Sequence, residues 1–213
     1  MKRERGVRAS RALVFLLAGL VPLGAGWLVA RSGPSPPANG RWSPEAIPDV
    51  ALCTHEGRTV LLHRDLLAGK VVVLNFLYTK CTGVCPKTVR NLCEVQRLLG
   101  DRVGRDVFFY SVTLKPEQDS PEVLRAYADA VGAGPGWLFL TGTPADVERV
   151  RHGFGFVDPD PDVDTDRSQH IGMVLYGNEA RRSWAACPGE SNPAVLAEQI
   201  LWMLPQRGDG DGK

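Results

Sequence analysis

The stretch KVVVLNFLYTKCTGVCPKT, Lys70 to Thr88, determines the predicted fold and carries the most unusual chemistry of the chain. Its first half is almost entirely apolar, which is typical of a strand buried on both faces of a sheet. Two thiols follow, Cys81 and Cys85, with three residues between them. Pro86 suits the first turn of a helix. The stretch therefore predicts a central strand, a turn with two cysteines, and a helix.

The runs on either side of this unit alternate between strand and helix patterns. Before the unit, VALCTHEGRTVLL predicts a β-hairpin. After it, two strand–helix pairs follow: the strand DVFFYSVTL with a helix in DSPEVLRAYADAVG, and the strand GWLFLTG with a helix in TPADVERVRHGFG. The chain then continues with two strands around Gly177-Asn178 in HIGMVLYGNEARRSW and a last helix in NPAVLAEQILWML. This order predicts the α/β class, with a mixed central sheet flanked by helices. A βαβ unit followed by a ββα unit is the thioredoxin-like arrangement, here with an N-terminal β-hairpin and an N-terminal membrane helix.

The N-terminus predicts export. Five basic residues within the first eleven precede 19 residues without a charge, 12–30. This length is close to the ~20 residues that cross a bilayer, and the basic flank predicts a cytoplasmic N-terminus. The alternatives are a cleaved signal peptide and a buried core helix. The anchor and the signal peptide both place the remaining chain on the exported, periplasmic-type side, either membrane-anchored or secreted.

Composition divides the chain into four parts. Residues 1–30 are the anchor or signal segment, 31–44 a Pro/Gly-rich linker, 45–206 the folded domain and 207–213 a flexible tail. The chain is 44% apolar, which is globular composition, and its formal net charge of +1 gives no indication of a nucleic-acid partner.

One biased segment, DPDPDVDTD from Asp158 to Asp166, has an acid at every second position. It lacks the glycine and the glutamate of a calcium-binding loop. We expect a solvated, mobile acidic loop, with partner docking or cation attraction as alternatives.

The thiols Cys81 and Cys85 are the candidate reactive groups. Side chains four residues apart near a first helical turn lie on one side, and the amides and dipole of a helix N-terminus favour thiolates. Two such donors suit Cu(I) or Zn(II), whereas dithiol redox sites more often have two intervening residues. A permanently bridged or buried structural pair is the alternative.

A soft metal would take a third donor, and His170 is the candidate. The topology predicts that the loop entering the strand IGMVLY faces the thiols, and His170 directly precedes this strand, whereas His55, His63 and His152 lie elsewhere. Two thiolates and one imidazole form a three-coordinate set for Cu(I) and leave a position open for transfer or for Cu(II). Structural zinc normally takes four protein ligands, and no fourth is evident.

Four stretches together resemble the Sco/SenC family of copper-binding proteins that assemble cytochrome c oxidase: GKVVVLNFLYTKCTGVCPKT, QDSPEVLRAYA, FLTGTPADVERV and HIGMVLYGNEARRSW. The resemblance covers about residues 46–204. It implies a thioredoxin-like domain, usually tethered to a membrane, that binds copper through Cys81, Cys85 and His170. It also implies a partner, oxidase subunit II, to whose CuA centre the family delivers copper or whose cysteines it reduces.

The chain departs from the family pattern beside the predicted ligands. The family commonly has aspartate and serine flanking its histidine, where this chain has Gln169 and Ile171, and an acid is missing from the segment VTLKP, 112–116. Such carboxylates orient metal ligands, so their absence bears on copper affinity and on the preference between Cu(I) and Cu(II). Of the cysteines outside the motif, Cys93 is expected in the core, while Cys53 and Cys187 could form a second bridge or remain separate thiols.

Three functions compete on these residues. The first is a copper metallochaperone, which is not an enzyme. The second is an exported thiol–disulfide oxidoreductase that cycles Cys81 and Cys85 without a metal, acting on oxidase subunit II or another exported thiol client. The third is a peroxiredoxin-type enzyme, which needs an arginine beside its reactive cysteine, and no arginine is suitably placed.

Overall fold

A computed structural model describes residues 47–158, 160–165 and 172–205. The predicted anchor, linker and tail therefore lie outside the described residues, as does His170. Within the described ranges, no helix has both the length and the apolar character needed to cross a bilayer.

Seven strands of the described residues form one mixed sheet in the order β2-β1-β5-β4-β3-β6-β7. Their bounds are β1 (Ala51–Thr54), β2 (Thr59–Leu61), β3 (Val71–Leu77), β4 (Val107–Thr113), β5 (Trp137–Thr141), β6 (Met173–Asn178) and β7 (Ser183–Pro188). Strand β3 pairs parallel with β4 and antiparallel with β6, and all seven of its residues are buried. The predicted central strand is therefore confirmed, and the sheet is mixed and thioredoxin-like.

The helices are α1 (Val84–Leu99), α2 (Pro121–Val131), α3 (Pro144–Gly153), α4 (Pro161–Thr165) and α5 (Pro193–Met203), with a short π-helical segment at Leu62–Leu67 and a 3-10 turn at Gly100–Arg102. The helices α2, α3 and α5 each follow a residue whose side chain caps the first turn. Ser120, Thr143 and Asn192 each accept a hydrogen bond from the first turn of the helix that follows. Each of these helices also begins with a proline, whose missing N–H would have no helical partner there.

The alternation of side chains along β3 divides the core into two layers. Val71 and Val73 face the layer covered by α1, α2 and α5, whereas Val72 and Leu74 face the layer of the π-helical segment and α3. Each fully buried valine or leucine stabilises the fold by about 1.5–3 kcal/mol. Leu77, the last residue of β3, belongs to the first layer, together with Cys81 and Cys85.

The last hairpin turns later than the sequence predicts. The turn occupies Glu179–Arg182, and Gly177 and Asn178 belong to β6. A Cβ at Gly177 would lie 2.5 Å from the Trp184 ring, on the residue that pairs with Gly177 across the hairpin. The glycine therefore provides room for an indole ring inside the hairpin and does not form its turn.

The acidic segment is more ordered than the sequence predicts in its described part. Residues 161–165 form α4, and the Asp164 carboxylate accepts hydrogen bonds from the buried Arg151 guanidinium and from the amide of Asp158. Asp160, Asp162 and Thr165 are exposed, as expected of a solvated segment, but the Asp164 side chain is only 17% exposed because it binds the buried Arg151 cation.

Candidate metal centre

The two predicted thiols lie together where β3 passes into α1. Cys81 follows a tight turn in which its amide donates to the Tyr78 carbonyl at 3.1 Å, and Cys85 is the second residue of α1. Both are nearly inaccessible, with 8% of Cys81 and 2% of Cys85 exposed, and both join the apolar layer beneath α1. The N-cap residue Gly83 has no side chain to cap the helix, so the first amides of α1 are available to neighbouring sulfur atoms.

The two sulfur atoms interact, and their surroundings separate their acidities. Burial alone would raise the pKa of Cys81, but hydrogen bonds from the Cys85 side chain and from the backbone of Cys85 and Gly83 outweigh it, so this pKa lies below its ordinary value. Burial and the hydrogen bond to Cys81 raise the pKa of Cys85 to about 12. The pair therefore loses its first proton at Cys81, and the Cys85 thiol stabilises the resulting thiolate by donating a hydrogen bond to it.

The loop before Cys81 is held by residues that the sequence did not single out. The Tyr78 side chain hydrogen-bonds to Cys81 and also lowers its pKa, and the Lys115 ammonium lies 4.4 Å from the Tyr78 ring centroid. Asp119, 1% exposed, accepts hydrogen bonds from Thr79. In the sequence Asp119 precedes the helix cap Ser120 and resembles an ordinary residue of a helix start. Its buried position depends on contacts between distant segments.

His170 lies outside the described residues, but the strand after it is described. Strand β6 runs antiparallel to β3, with Val174 opposite Asn75, so it begins beside the end of β3 that leads to Cys81. Gly172 packs on the first turn of α1, where an added Cβ would lie 2.2 Å from Val84 Cγ2. The start of β6 therefore lies beside the helix turn that carries Cys85, as the topology predicted.

The other three histidines have structural partners. His55 Nδ1 accepts the Phe139 amide at 3.1 Å, and burial, the largest effect on this ring, lowers its pKa. His63 Nε2 lies 3.2 Å from a Glu179 carboxylate oxygen. His152 Nε2 lies 2.9 Å from a Glu148 carboxylate oxygen. Each of the three rings therefore contacts a group other than the two thiols.

Among the described residues, one further group could in principle hold a cation. The ligand atoms of Glu148, His152 and Asp164 lie within 4.8 Å of one another. However, the Arg151 guanidinium donates to both carboxylates, at 2.6 Å to Glu148 Oε1 and 2.5 Å to Asp164 Oδ2. Because this cation already neutralises the acids, the group is an ion-pair network and not a metal site.

The remaining cysteines lie apart from one another. All five cysteines belong to the described residues, and none forms a disulfide. Cys53 is in β1 and Cys187 in β7, five strand intervals apart in the sheet order, which is about 24 Å at ~4.8 Å per interval. A disulfide needs Cα atoms within about 7 Å, so the Cys53–Cys187 bridge is excluded. Cys93, which we expect in the core, is half-buried, packs against the first core layer and donates to the Val131 carbonyl at 3.3 Å.

Comparison with known proteins agrees with this architecture. The SCO1/SenC family profile matches residues 43–205. The SCO1 protein homolog of Bacillus subtilis is 31% identical over 88 residues, 41% of this chain and 44% of that protein. An SCO2-like protein of Rickettsia felis is 26% identical over 94 residues, 44% of each chain. The alignments therefore span somewhat less than half the length of these curated relatives.

Solved structures show the same fold. The structure of Bradyrhizobium japonicum ScoI with copper bound has a TM-score of 0.60 and 24% identity, covering 72% of this chain and 96% of that one. Yeast Sco1 with copper bound has a TM-score of 0.57 and 20% identity, covering 73% and 92%. Since the family match extends over most of the sequence and the fold agrees with it, the chain belongs to the SCO1/SenC family.

Proposed function

We propose that this chain is a membrane-tethered copper-binding protein that helps to assemble the CuA centre of cytochrome c oxidase, with Cys81, Cys85 and His170 as the copper ligands. The observation that carries the proposal is the pair of hydrogen-bonded sulfur atoms at the uncapped N-terminus of α1. Thiolates are the ligands that Cu(I) prefers, and the burial of this pair keeps water and competing anions away. Copper-bound ScoI and Sco1, which have the same fold, support the choice of metal.

The third ligand is supported by chain connectivity. Only one residue separates His170 from Gly172, so their Cα atoms lie within about 7 Å of each other. Gly172 in turn packs on Val84, the neighbour of Cys85. We therefore expect an imidazole at position 170 to be within reach of the thiols. Two thiolates and one imidazole would hold Cu(I) and leave a coordination position open for transfer.

The surroundings of the two thiols determine how easily each one becomes a thiolate ligand. Cys81, whose pKa is lowered, is the first to offer a thiolate. Cys85 retains its proton more strongly, so we expect metal binding to release that proton. Bound copper would supply the soft cation that both sulfur atoms stabilise, and the apolar layer under α1 would exclude water from it.

The same residues support thiol reduction as a second route in assembly. Reduction of a client disulfide would take two electrons and two protons from Cys81 and Cys85 and join their sulfur atoms in a disulfide. BsSco, a protein of this fold whose structure was described as containing a disulfide switch, supports this route, at a TM-score of 0.60 and 21% identity. An exported thiol–disulfide oxidoreductase without an obligatory metal is therefore the second candidate function.

Copper titration of the full-length, reduced chain tests the proposal, with Cu(I) and Cu(II) used separately. We expect about one copper per chain, and loss of that copper in Cys81→Ala, Cys85→Ala and His170→Ala. Cys93→Ala and His152→Ala are the matched controls and should bind normally. If His170→Ala bound copper like the controls, the three-ligand site would be wrong. If disulfide exchange remained but wild-type copper binding were absent, the oxidoreductase function would replace it.

The tether and the client are tested separately. We propose that residues 1–30 hold the domain on the exported face of a membrane and that oxidase subunit II is the client. Fractionation of cells that express the tagged chain should recover it with membranes, and protease added to spheroplasts should digest the domain. A soluble chain, or one protected from protease, would contradict this location. Cu(I)-loaded chain mixed with a reduced apo CuA domain, followed by one-electron oxidation with ferricyanide, should generate the absorption bands of that centre, and their absence would contradict this client.

A further inference from the structure

Asp119 is a buried carboxylate that the copper chemistry proposed above does not use. Only 1% of the residue is exposed, and it lies in the connection between β4 and α2. Burial of a carboxylate is costly unless hydrogen bonds compensate. The partners of Asp119 therefore indicate the role of this acid.

Three donors converge on the Asp119 carboxylate. The Thr79 hydroxyl donates to Oδ1 at 2.5 Å, and the Thr79 amide donates to Oδ2 at 3.2 Å. The Thr113 hydroxyl donates to Oδ2 at 2.5 Å and itself accepts the Lys115 amide at 3.0 Å. Asp119 thus connects the exit of β3 to the end of β4, and it holds Thr79 by both its main chain and its side chain.

Thr79 belongs to the short turn that sets the position of Cys81. The turn is closed by the Cys81 amide, which donates to the Tyr78 carbonyl, and one residue separates Thr79 from Cys81. Tyr78 is held from the same β4–α2 connection, by the Lys115 ammonium over its ring. Both residues at the start of the turn are therefore fixed by a segment about 35–40 residues further along the chain.

We propose that Asp119 is a positioning residue for Cys81: through Thr79 it fixes the turn that holds the Cys81 sulfur beside Cys85 and shields it from solvent. The copper part of this inference rests on the proposed function. The positioning itself does not, because the hydrogen bonds involve only residues of this chain.

Alkylation of the reduced, copper-free, full-length chain tests the positioning. The rate of iodoacetamide labelling is measured for each cysteine by mass spectrometry in the variants Asp119→Ala and Thr79→Val. The control variant is Glu117→Ala, because Glu117 is an exposed acid in the same connection. We expect Cys81 to react about tenfold faster in Asp119→Ala and at least about twofold faster in Thr79→Val, because losing these hydrogen bonds allows the turn to open. Glu117→Ala should react like wild type.

Cys93 and Cys187 report whether the effect is local. Both are half-buried thiols outside this turn. Their rates should stay unchanged while that of Cys81 rises. An unchanged Cys81 alkylation rate in both variants would overturn the proposal. An equal rise in the rates of all three cysteines would also overturn it, because the whole domain would then have become less stable. If Asp119→Ala does not fold, Thr79→Val, which keeps the carboxylate, decides the outcome.

Copper affinity separates this inference from the proposed function. Competition with a Cu(I) chelator should show binding about tenfold weaker in Asp119→Ala than in wild type, a usual size for the loss of a residue that orients a metal ligand. The double variant Asp119→Ala/Thr79→Val should bind no more weakly than Asp119→Ala, since both act through one contact. Failure of the wild-type chain to bind copper would refute the proposed function, and the alkylation rates would still decide on Asp119.

Discussion

Arg151 and Asp164 form a bidentate ion pair in which Nη1 lies 2.5 Å from Oδ1 and Nη2 lies 2.5 Å from Oδ2. The Arg151 side chain is 6% exposed and that of Asp164 is 17% exposed. Arg151 also donates to Glu148 and to the Phe156 carbonyl. One buried cation therefore joins α3 to the acidic segment that precedes β6.

We expect Arg151→Ala to lower the free energy of unfolding by about 1.5–3 kcal/mol, because it removes the charged donor from the Asp164 and Glu148 carboxylates, which keep the Asp158 amide and the His152 ring. Urea denaturation followed by circular dichroism measures the change. Arg149→Ala is the control, since the Arg149 side chain is 60% exposed in its pair with Asp146 and should cost at most about 1 kcal/mol. Equal losses in the two variants would contradict the importance of the buried pair.

Gly172→Ala should disturb the first turn of α1. Its Cβ would lie 2.2 Å from Val84 Cγ2, so the strand entry or the helix must move, at a cost of about 1–3 kcal/mol. The thermal midpoint of the variant should fall accordingly. Val84→Ala removes the clashing methyl group, and the double variant should recover most of the loss. If the thermal midpoint of the double variant did not recover, the clash between positions 172 and 84 would not be the source of the strain.

The two thiols should differ in their dependence on pH. The Cys81 pKa is lowered and the Cys85 pKa is raised to about 12, so the thiolate forms first at Cys81. Alkylation of the reduced chain across pH 6–10 should therefore label Cys81 with a midpoint below that of an ordinary thiol, while Cys85 stays largely unlabelled. Equal labelling of both at neutral pH would contradict the assignment.

Mild oxidation should produce a single intramolecular disulfide. Cys81 and Cys85 interact directly, whereas Cys53 and Cys187 lie on strands about 24 Å apart. Peptide mapping after oxidation and alkylation should find Cys81 joined to Cys85, and the other three cysteines alkylated. A substantial Cys53–Cys187 product would be incompatible with the strand order.

Local patterns predicted the elements well where one segment contains its own signal. Ser120, Thr143 and Asn192 carry a capping side chain followed by proline, and all three cap helices. The prediction was wrong where a residue serves a distant partner. Gly177 resembles a turn residue, yet it lies in a strand to make room for Trp184. Asp164 resembles a solvated acid, yet it pairs with Arg151.

The residues of the candidate site also differ in whether the sequence alone could identify them. Cys81 and Cys85 could be found from spacing, because one strand and one helix turn bring them together. Asp119 could not, because its three hydrogen bonds join segments from β3 and β4 that are far apart in the chain.

The α/β class, the central strand and the paired thiols could be predicted from the residues alone, because side-chain periodicity and a four-residue spacing act over one or two turns of chain. Three further facts follow only from the folded arrangement: Asp119 holds the turn before Cys81, Gly172 packs on Val84, and Cys53 and Cys187 stay apart. These facts depend on strand order and on close contacts between remote segments, and no local pattern encodes them.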